Sequence, residues 1–285
     1  MTNITVGTER IKERFKDLKK ADRAGLVTFI TAGDPNIEIS TQILKKLPGS
    51  GADIIELGMP FSDPMADGPA IQASSLRSLK NGGSILTTIE MVRRFRQGDN
   101  KTPVILMGYF NPIYSYGIEK FITDAAESGV DGLIIVDLPP EESEMREPIK
   151  KAGLSFIYLI TPTTDIKRMP IITKHASGFI YYVSVTGITG TASAASSEIS
   201  TALKKIRCHT NLPIAVGFGI TTKEKAREIG DCAEAVVVGS AFVNKISENL
   251  YKDGTPKEGC VDSVLNLVRE ISDGLTNTTH NSIKY

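Results

Sequence analysis

Two carboxylates stand at the two ends of a segment rich in proline and glycine: Glu56 precedes the turn that begins at Met59, and Asp67 lies at its end, before Gly68 and Pro69. Glu56 ends the apolar run Ala52–Glu56, which has the composition of a buried strand. Loss of hydration at such a position raises the pKa of a carboxyl group and suits it to donate and then accept a proton. The pattern predicts acid and base catalysis by Glu56, and the alternative is a structural glutamate bonded to a neighbouring backbone group.

The segment between the two carboxylates is predicted to be stiff and non-helical, because Pro60 and Pro64 exclude a helix there. The triplet Asp67-Gly68-Pro69 is typical of a helix start, so Asp67 could act as an N-cap. Asp63 could stabilise the turn through its side chain. These structural roles remain the alternatives to chemistry at this turn.

Glycine-containing turns follow three apolar runs late in the chain, at Ser184–Thr191, Gly217–Ile220 and Gly239–Ala241. Glycine lets backbone N–H groups approach an anion closely, and a helix N-terminus adds a favourable dipole. The last two turns contain no lysine or arginine, so backbone groups would do most of the binding. We predict a phosphate site where these turns meet, although each turn alone could be no more than a tight connection.

Eight short apolar runs alternate with segments of helical period, which predicts parallel strands joined by helices. Runs that are apolar throughout indicate burial on both faces, and eight of them favour a closed barrel over an open doubly wound sheet. The predicted fold class is α/β: a single-domain TIM (β/α)8 barrel over residues 1–285, with its active site at the carboxyl ends of the strands. Because side chains alternate along a strand, Glu56 should share an inward face with Ala52 and Ile54. The predicted strands are Leu26–Ile30, Ala52–Glu56, Val104–Met107, Gly132–Val136, Ser155–Ile160, Gly178–Val183, Pro213–Val216 and Ala235–Val238.

An extra amphipathic helix, Glu9–Lys20, is predicted ahead of the barrel, with Ile11, Phe15 and Leu18 on one face. Residues 275–285 are polar and lack periodicity, so we expect a frayed tail there. The other predicted helices are Ser84–Arg96, Ile118–Ser128, Glu141–Ala152, Ser197–Ile206, Thr222–Ile229 and Val261–Ile271.

The composition excludes several functional classes. Lys plus Arg equals Asp plus Glu at 33 each, so the formal net charge is zero, which argues against a nucleic-acid-binding protein. No apolar segment approaches the roughly 20 residues of a membrane span. The three cysteines, Cys208, Cys232 and Cys260, lack metal-ligand spacing, so we expect reduced thiols, no metal and a cytoplasmic location.

The stretch Glu56–Gln72 resembles the signature of the tryptophan synthase alpha chain family. This first motif is long and specific, whereas the remaining ones would be ambiguous if they stood alone. The resemblance covers roughly residues 8–275 and continues, in the same order, through Leu106–Pro112, Val136–Pro139, Gly187–Gly190 and Gly217–Ile220.

The resemblance implies cleavage of indole-3-glycerol phosphate to indole and glyceraldehyde 3-phosphate, a retro-aldol reaction that uses no cofactor. By this resemblance Glu56 is the acid and base that protonates indole C3 and helps to deprotonate the adjacent side-chain hydroxyl. Asp67 would accept a hydrogen bond from the indole N–H, where positive charge develops as C3 is protonated.

The resemblance also implies a binding pocket around these two carboxylates. Barrel packing is the alternative for each of the apolar pocket residues, and Tyr181 could also place its hydroxyl near Glu56. The segment Ser184–Ser197 is similar to the family's mobile lid, which closes over the substrate. The implied indole pocket is Phe29, Met107, Tyr109, Ile134 and Tyr181, and the implied phosphate site is Thr189, Gly190, Phe218, Gly219, Gly239 and Ser240.

In the family the alpha chain works with a beta subunit in an α2β2 heterotetramer, and indole passes to that subunit through a tunnel. The resemblance therefore implies a beta-subunit partner, with pyridoxal phosphate bound only by the beta subunit. The residues implied to lie in loops that face this partner are Pro60, Asp63, Asn111 and Pro112.

Three other functions are compatible with parts of this pattern. Another phosphate-binding barrel, such as an isomerase or epimerase, would lack this carboxylate turn, and a metal-dependent epimerase would need strand histidines that are absent here. A non-catalytic activating subunit would be marked by loss of Glu56 or Asp67, and both are present. A stand-alone lyase that cleaves the same substrate without a partner remains open.

Overall fold

The computed structural model describes residues 7–142, 144–183, 192–217 and 219–276, and backbone alone for residues 192–196. All nine strands of its single sheet run parallel, in the order β5-β4-β3-β2-β1-β9-β8-β7-β6. Their bounds are β1 Gly25–Thr31, β2 Ile54–Gly58, β3 Val104–Gly108, β4 Gly132–Ile135, β5 Ser155–Phe156, β6 Tyr158–Ile160, β7 Ile180–Val183, β8 Ile214–Gly217 and β9 Ala235–Val238.

The two edge strands of this order, β5 and β6, are two parts of one extended segment. Only Ile157 separates them, and its amide donates a hydrogen bond of 3.0 Å to the carbonyl of Leu133 on β4. The segment pairs with β4 on one side and with β7 on the other, so the sheet closes on itself. The predicted eight-fold barrel is therefore confirmed, with its fifth strand divided.

Twelve α-helices lie among the described residues. They are α1 Thr8–Lys20, α2 Ile37–Lys46, α3 Pro69–Lys80, α4 Ile85–Arg96, α5 Phe110–Tyr116, α6 Ile118–Ser128, α7 Arg146–Lys151, α8 Met169–His175, α9 Ala192–Arg207, α10 Lys223–Gly230, α11 Ser240–Glu248 and α12 Cys260–Leu275, with a short 3-10 helix at Pro48–Ser50.

The barrel contains two apolar cores, because alternate strand residues face its interior and its helical shell. Ile54 belongs to the inner core, whereas Ala52 packs in the outer one and precedes β2. The expected inward position of Ala52 was therefore wrong, because the strand begins two residues later than predicted. The inner core comprises Ile11, Phe15, Leu18, Val27, Ile54, Ile105, Ile134, Ile157, Phe179, Ala215, Ala235 and Val237.

Helix α1 confirms the predicted extra helix and closes the amino-terminal end of the barrel. Its Ile11, Phe15 and Leu18 enter the inner core, where the ring of Phe15 lies 5.8 Å from that of Phe179. Arg10 of α1 forms a buried ion pair with Asp131, which precedes β4. With this end sealed, the carboxyl end of the barrel is the open one.

Two predicted helices begin at clearly different residues, and the last predicted helix, Val261–Ile271, extends to Leu275. The helix expected over Glu141–Ala152 is only α7, because the carbonyls of Pro140 and Glu142 accept hydrogen bonds from the guanidinium of Arg146 instead of from helical amides. The helix expected at Ser197–Ile206 begins at Ala192, so the last part of the predicted lid is the first turns of α9. The rest of that lid, residues 184–191, lies outside the described residues.

Two segments expected to be irregular are helical. Asn111 and Pro112 lie in the first turn of α5 and not in a loop, a position that proline tolerates because its missing N–H has no helical acceptor there. Leu275, where we placed the start of the tail, is the buried last residue of α12. Residues 277–285 lie outside the described residues.

No helix in the described part of the chain is long and apolar enough to cross a membrane. The same part contains no group of three or more His, Cys, Asp or Glu residues that could hold a metal ion.

Candidate active site

Glu56 lies on β2 near its carboxyl end, with Phe29 of β1 and Ile105 of β3 as its register partners. Its side chain is 1% exposed, and neither carboxylate oxygen has a hydrogen-bond partner within the described residues. The alternative of a structural glutamate bonded to a neighbouring backbone is therefore wrong for the part of the chain that the structure describes. Burial, and then the charge of Asp67, raise the pKa of Glu56 to about 8. The carboxyl group is thus mostly protonated at neutral pH and ready to donate a proton.

Asp67 lies opposite Glu56, across the turn and just before α3. The hydroxyl of Tyr109 lies beside Asp67 and accepts a 3.0 Å hydrogen bond from the amide of Ala66. Burial raises the pKa of Asp67, and the neighbouring Tyr109 hydroxyl opposes that rise. The N-cap of α3 is Gly68, with no side-chain cap, so the N-cap role for Asp67 is wrong. The half-buried Asp67 side chain lies instead just before the helix, near Glu56.

The five predicted pocket residues all lie at the barrel interior or at its carboxyl rim. Phe29 fits there because two glycines leave room: a Cβ on Gly58 would lie 2.7 Å from the Phe29 ring, and one on Gly239 would lie 3.3 Å from Phe29 Cβ. Met107 pairs in register with Ile134, which is in the inner core. The side chains that face the two carboxylates are thus mostly apolar, which suits a flat aromatic ring.

Tyr181 lies on β7, at the far side of the barrel from Asp67. Burial raises the pKa of its hydroxyl, and the charges of Glu56 and Asp67 raise it further, which places the three groups in one electrostatic neighbourhood. A Cβ on Gly217 would lie 2.8 Å from the Tyr181 hydroxyl oxygen, so the small residue on β8 makes space for this side chain. The hydroxyl stays neutral and can donate a hydrogen bond.

A small cavity beside Asp67 is lined by residues that the sequence analysis did not single out. Thr31 at the end of β1 and Ser75 on α3 bring hydroxyl groups to it, and Met59 covers one side. The signal for Met59 was available, because it directly follows β2 as an active-site residue of a barrel should. No sequence signal indicated Ser75, because only the packing of α3 against β1 brings it to the cavity.

The predicted phosphate residues lie at the same end of the barrel where the structure describes them. Gly239 follows β9 as the N-cap of α11, and Ser240 is the exposed first residue of that helix. The first amides of a helix have no acceptor within it and point outwards, so they are available to an anion. Gly219 follows β8 with a left-handed φ of 56°, which favours glycine. Thr189, Gly190 and Phe218 lie outside the described residues.

The predicted partner-facing residues differ in exposure. Asp63 and Asn111 are exposed and Pro112 is half-buried, but Pro60 is buried in the free chain, so it contributes to the turn more than to a surface. Two exposed apolar residues outside the predicted set lie close in sequence to these residues. They are Met65, which is 80% exposed, and Tyr114, which is 63% exposed.

Fold and site together define a class: an eight-fold β/α-barrel enzyme with a buried carboxyl group, a second carboxylate near it and glycine turns at the open end. The sequence model of the tryptophan synthase alpha chain family matches residues 15–275. The chain therefore belongs to the tryptophan synthase alpha chain family, and it has the role of an alpha subunit, a lyase of tryptophan biosynthesis.

Solved structures support the same assignment. Tryptophan synthase subunit alpha from Legionella pneumophila str. Paris is 40% identical, with a TM-score of 0.85 over 93% of this chain and 97% of that one. The alpha chain from Legionella pneumophila subsp. pneumophila is 38% identical, with a TM-score of 0.84 over 97% and 99%. Tryptophan synthase from M. tuberculosis, in an open form with BRD0059 bound, is 27% identical, with a TM-score of 0.83 over 94% and 98%.

Proposed function

We propose that the chain cleaves indole-3-glycerol phosphate by a retro-aldol reaction, with Glu56 as acid and base and Asp67 as the acceptor for the ring nitrogen. The observation that carries this proposal is the Glu56 carboxyl group, which is buried, unpartnered in the described residues and faced by Asp67. An unpartnered buried carboxyl group lowers stability, so its presence needs a compensating role in catalysis.

The proposed reaction has two proton transfers. Protonated Glu56 gives its proton to indole C3, and positive charge appears on the ring nitrogen, whose N–H donates to Asp67. The Glu56 carboxylate then removes the proton of the side-chain hydroxyl on the carbon attached to C3. The bond between that carbon and C3 breaks, its electrons return to the ring, and the products are indole and an aldehyde. Glu56 ends protonated, as it began.

The remaining site residues would bind the substrate. Phe29, Met107, Tyr109, Ile134 and Tyr181 would enclose the indole ring, and Tyr181 would also donate to the reacting groups near Glu56. The amides at the start of α11, with Thr189, Gly190, Phe218 and Gly219, would hold the phosphate. Exclusion of water by a lid at Ser184–Ser197 would strengthen every charge interaction in the site.

The partner we propose is a tryptophan synthase beta subunit, in an α2β2 assembly. Solved structures of tryptophan synthase from M. tuberculosis, similar to this chain at 26–28% identity, support this proposal. Asp63, Asn111 and Pro112 would contact that subunit, together with the turn that contains Pro60. The proposed steps use only side chains of this chain, and we assign pyridoxal phosphate to the beta subunit alone.

Mixing the purified chain with a tryptophan synthase beta subunit should accelerate indole release from indole-3-glycerol phosphate by on the order of tenfold or more. Contact with the turn that joins Glu56 to Asp67 would bring the two carboxylates into their reactive arrangement. Indole and glyceraldehyde 3-phosphate are measured over a range of beta-subunit concentrations. A turnover that is already fast and does not change on mixing would favour the stand-alone lyase, and no cleavage under any condition would contradict the proposed reaction.

Asp67→Asn should lower kcat by about a hundredfold or more, since the amide oxygen can still accept from the ring N–H but carries no charge to stabilise the cation. Loss of the Asp67 charge should also lower the pKa of Glu56 and move the alkaline limit of kcat/KM to lower pH. Steady-state kinetics between pH 6 and pH 10 measure both effects. A variant with near-normal kcat would remove Asp67 from the mechanism.

A further inference from the structure

Helix α3 begins two residues after Asp67 and packs on the barrel with a polar face. Its fully buried residues are all serines, whereas Leu76 on the same helix is 58% exposed. A helix that packs on a barrel normally presents apolar residues at this spacing, because burial of apolar surface drives the contact. Four polar residues replace them here at positions i, i+3, i+4 and i+7, namely Ser74, Arg77, Ser78 and Asn81.

Each of these four side chains bonds to the last residue of β1 or to the segment that follows it. Ser74 and Thr31 share a hydrogen bond of 2.6 Å between their hydroxyl oxygens. The guanidinium of Arg77 donates to both carboxylate oxygens of Asp34, over 2.7 and 2.8 Å. The other two bonds run from the Ser78 hydroxyl to the Ala32 carbonyl and from the Asn81 amide to the Pro35 carbonyl.

The pair between Arg77 and Asp34 is the strongest of these contacts. The Asp34 side chain is fully buried, and the two parallel bonds fix both the distance and the plane of the guanidinium. Two parallel charge-assisted hydrogen bonds weaken steeply with distance and angle, so they resist sliding of the helix more strongly than apolar contacts do. The polar face therefore sets the position of α3 along the barrel end.

The start of α3 transmits that position to Asp67. Gly68 is the N-cap and Pro69 the first helical residue, and the fixed φ of proline leaves little freedom at this junction. The Gln72 side-chain amide donates to the Asp67 carbonyl over 2.8 Å, which ties the first turn of the helix to the backbone of Asp67. A shift of α3 would thus move the Asp67 carboxylate relative to Glu56.

We propose that Arg77 is a positioning residue for catalysis: its paired bonds to Asp34 hold α3 on the end of β1 and thereby place Asp67 against the reacting ring nitrogen. The proposal rests on the role of Asp67 in the proposed function. Thr31 and Ser75, which lie at the contact between α3 and β1, also line the cavity beside Asp67, so this contact continues into the site. Arg77 itself touches no reacting group.

The chain offers a matched control at its other end. Arg23, before β1, donates to both carboxylate oxygens of Asp53, before β2, over 2.8 Å each. The side-chain exposures are 26% and 3% for that pair and 21% and 0% for Arg77 and Asp34. The two pairs therefore have similar geometry and burial, but the first lies at the closed end of the barrel, where Arg14 also approaches Asp53 to 3.6 Å.

The experiment compares Arg77→Met, Arg77→Lys and Arg23→Met in the full chain, with unfolding midpoints measured beside the kinetics of indole release. We expect both methionine variants to lose stability to a similar degree. Only Arg77→Met should also lower kcat, by about tenfold or more with little change in KM, because a displacement near 1 Å at a reacting group has effects of this size. Arg77→Lys, which keeps the charge, should recover part of that loss.

Two measurements distinguish a displaced Asp67 carboxylate from a non-specific loss of stability in Arg77→Met. Arg77→Met should move the alkaline limit of kcat/KM to lower pH, in the same direction as Asp67→Asn. A displaced Asp67 carboxylate would raise the pKa of Glu56 less, and Tyr181, the other titratable group near Glu56, stays neutral. In an Asp67→Asn background, Arg77→Met should have little further effect on kcat. Equal kcat losses in Arg77→Met and Arg23→Met, or a full additional loss in that background, would overturn the proposal. If Asp67→Asn itself keeps normal kcat, the proposed function fails first, and the two failures are thus distinguished.

Discussion

Glu56→Gln should lower kcat for indole release by about a thousandfold while the barrel folds as before. The variant keeps the size and shape of the side chain but can neither give a proton to indole C3 nor take one from the hydroxyl, and such proton transfers contribute roughly 10²-fold to 10⁴-fold. No hydrogen bond in the described residues is lost, because the Glu56 carboxyl group makes none there. Binding contacts to the ring and the phosphate remain, so KM should change little.

The measurement is steady-state release of indole by the variant, with circular dichroism and an unfolding curve to show that the fold is intact. Glu127→Gln, which makes the same chemical change at an exposed position on α6, is the control and should keep normal kcat. Near-normal cleavage by Glu56→Gln would show that another group moves the protons.

The same substitution should stabilise the chain increasingly as the pH rises. The pKa of Glu56 is raised by burial from 4.5 to about 8 in the folded chain. A raised pKa gives stability that is fully present below the unfolded value and is lost as the pH rises through the folded value. Between pH 5 and pH 8 the loss is on the order of 4 kcal/mol, at about 1.4 kcal/mol for each pH unit. Glutamine does not titrate, so the variant does not undergo this loss of stability.

Urea unfolding of the unmutated chain and of Glu56→Gln at several pH values between 5 and 8 measures this effect. The difference in free energy of unfolding should be smallest at pH 5 and should grow in favour of the variant towards pH 8. Other titrating groups are common to both chains and cancel in the difference. A difference that stays constant over this range would mean that Glu56 keeps an ordinary pKa and is not poised as an acid. The two predictions for Glu56 together describe a site that gives up stability for activity.

Most of the barrel and the identity of both carboxylates were predictable from the sequence. Apolar runs such as Val104–Met107 fixed the strands within a residue or two, because burial on both faces requires apolar residues throughout. The helices were harder to bound. The carbonyls of Pro140 and Glu142 bond to Arg146, and only the folded loop brings these groups together. The same holds for Asn111 and Pro112, which local composition placed in a loop and which form the first turn of α5.

The electrostatic state of the site is a property of the tertiary structure. The sequence placed a carboxylate at the end of β2, since a charged residue after an apolar run is visible in the chain itself. Whether that carboxylate meets a hydrogen-bond donor, and how near Asp67 lies, depends on elements more than ten residues away. Burial without a partner in the described residues, which raises the pKa of Glu56, follows from the closure of the barrel around it.

The turn between Glu56 and Asp67 shows which properties follow from the sequence and which depend on the tertiary structure. Residue types along the chain determined that it is rigid, non-helical and flanked by carboxylates, because proline restricts its own backbone whatever surrounds it. Only the tertiary structure decided that Pro60 is buried, that the Tyr109 hydroxyl accepts from the amide of Ala66, and that a polar face of α3 meets the end of β1. These contacts join parts of the chain that local preferences leave independent, and hydrogen bonds between them form only after the barrel has closed.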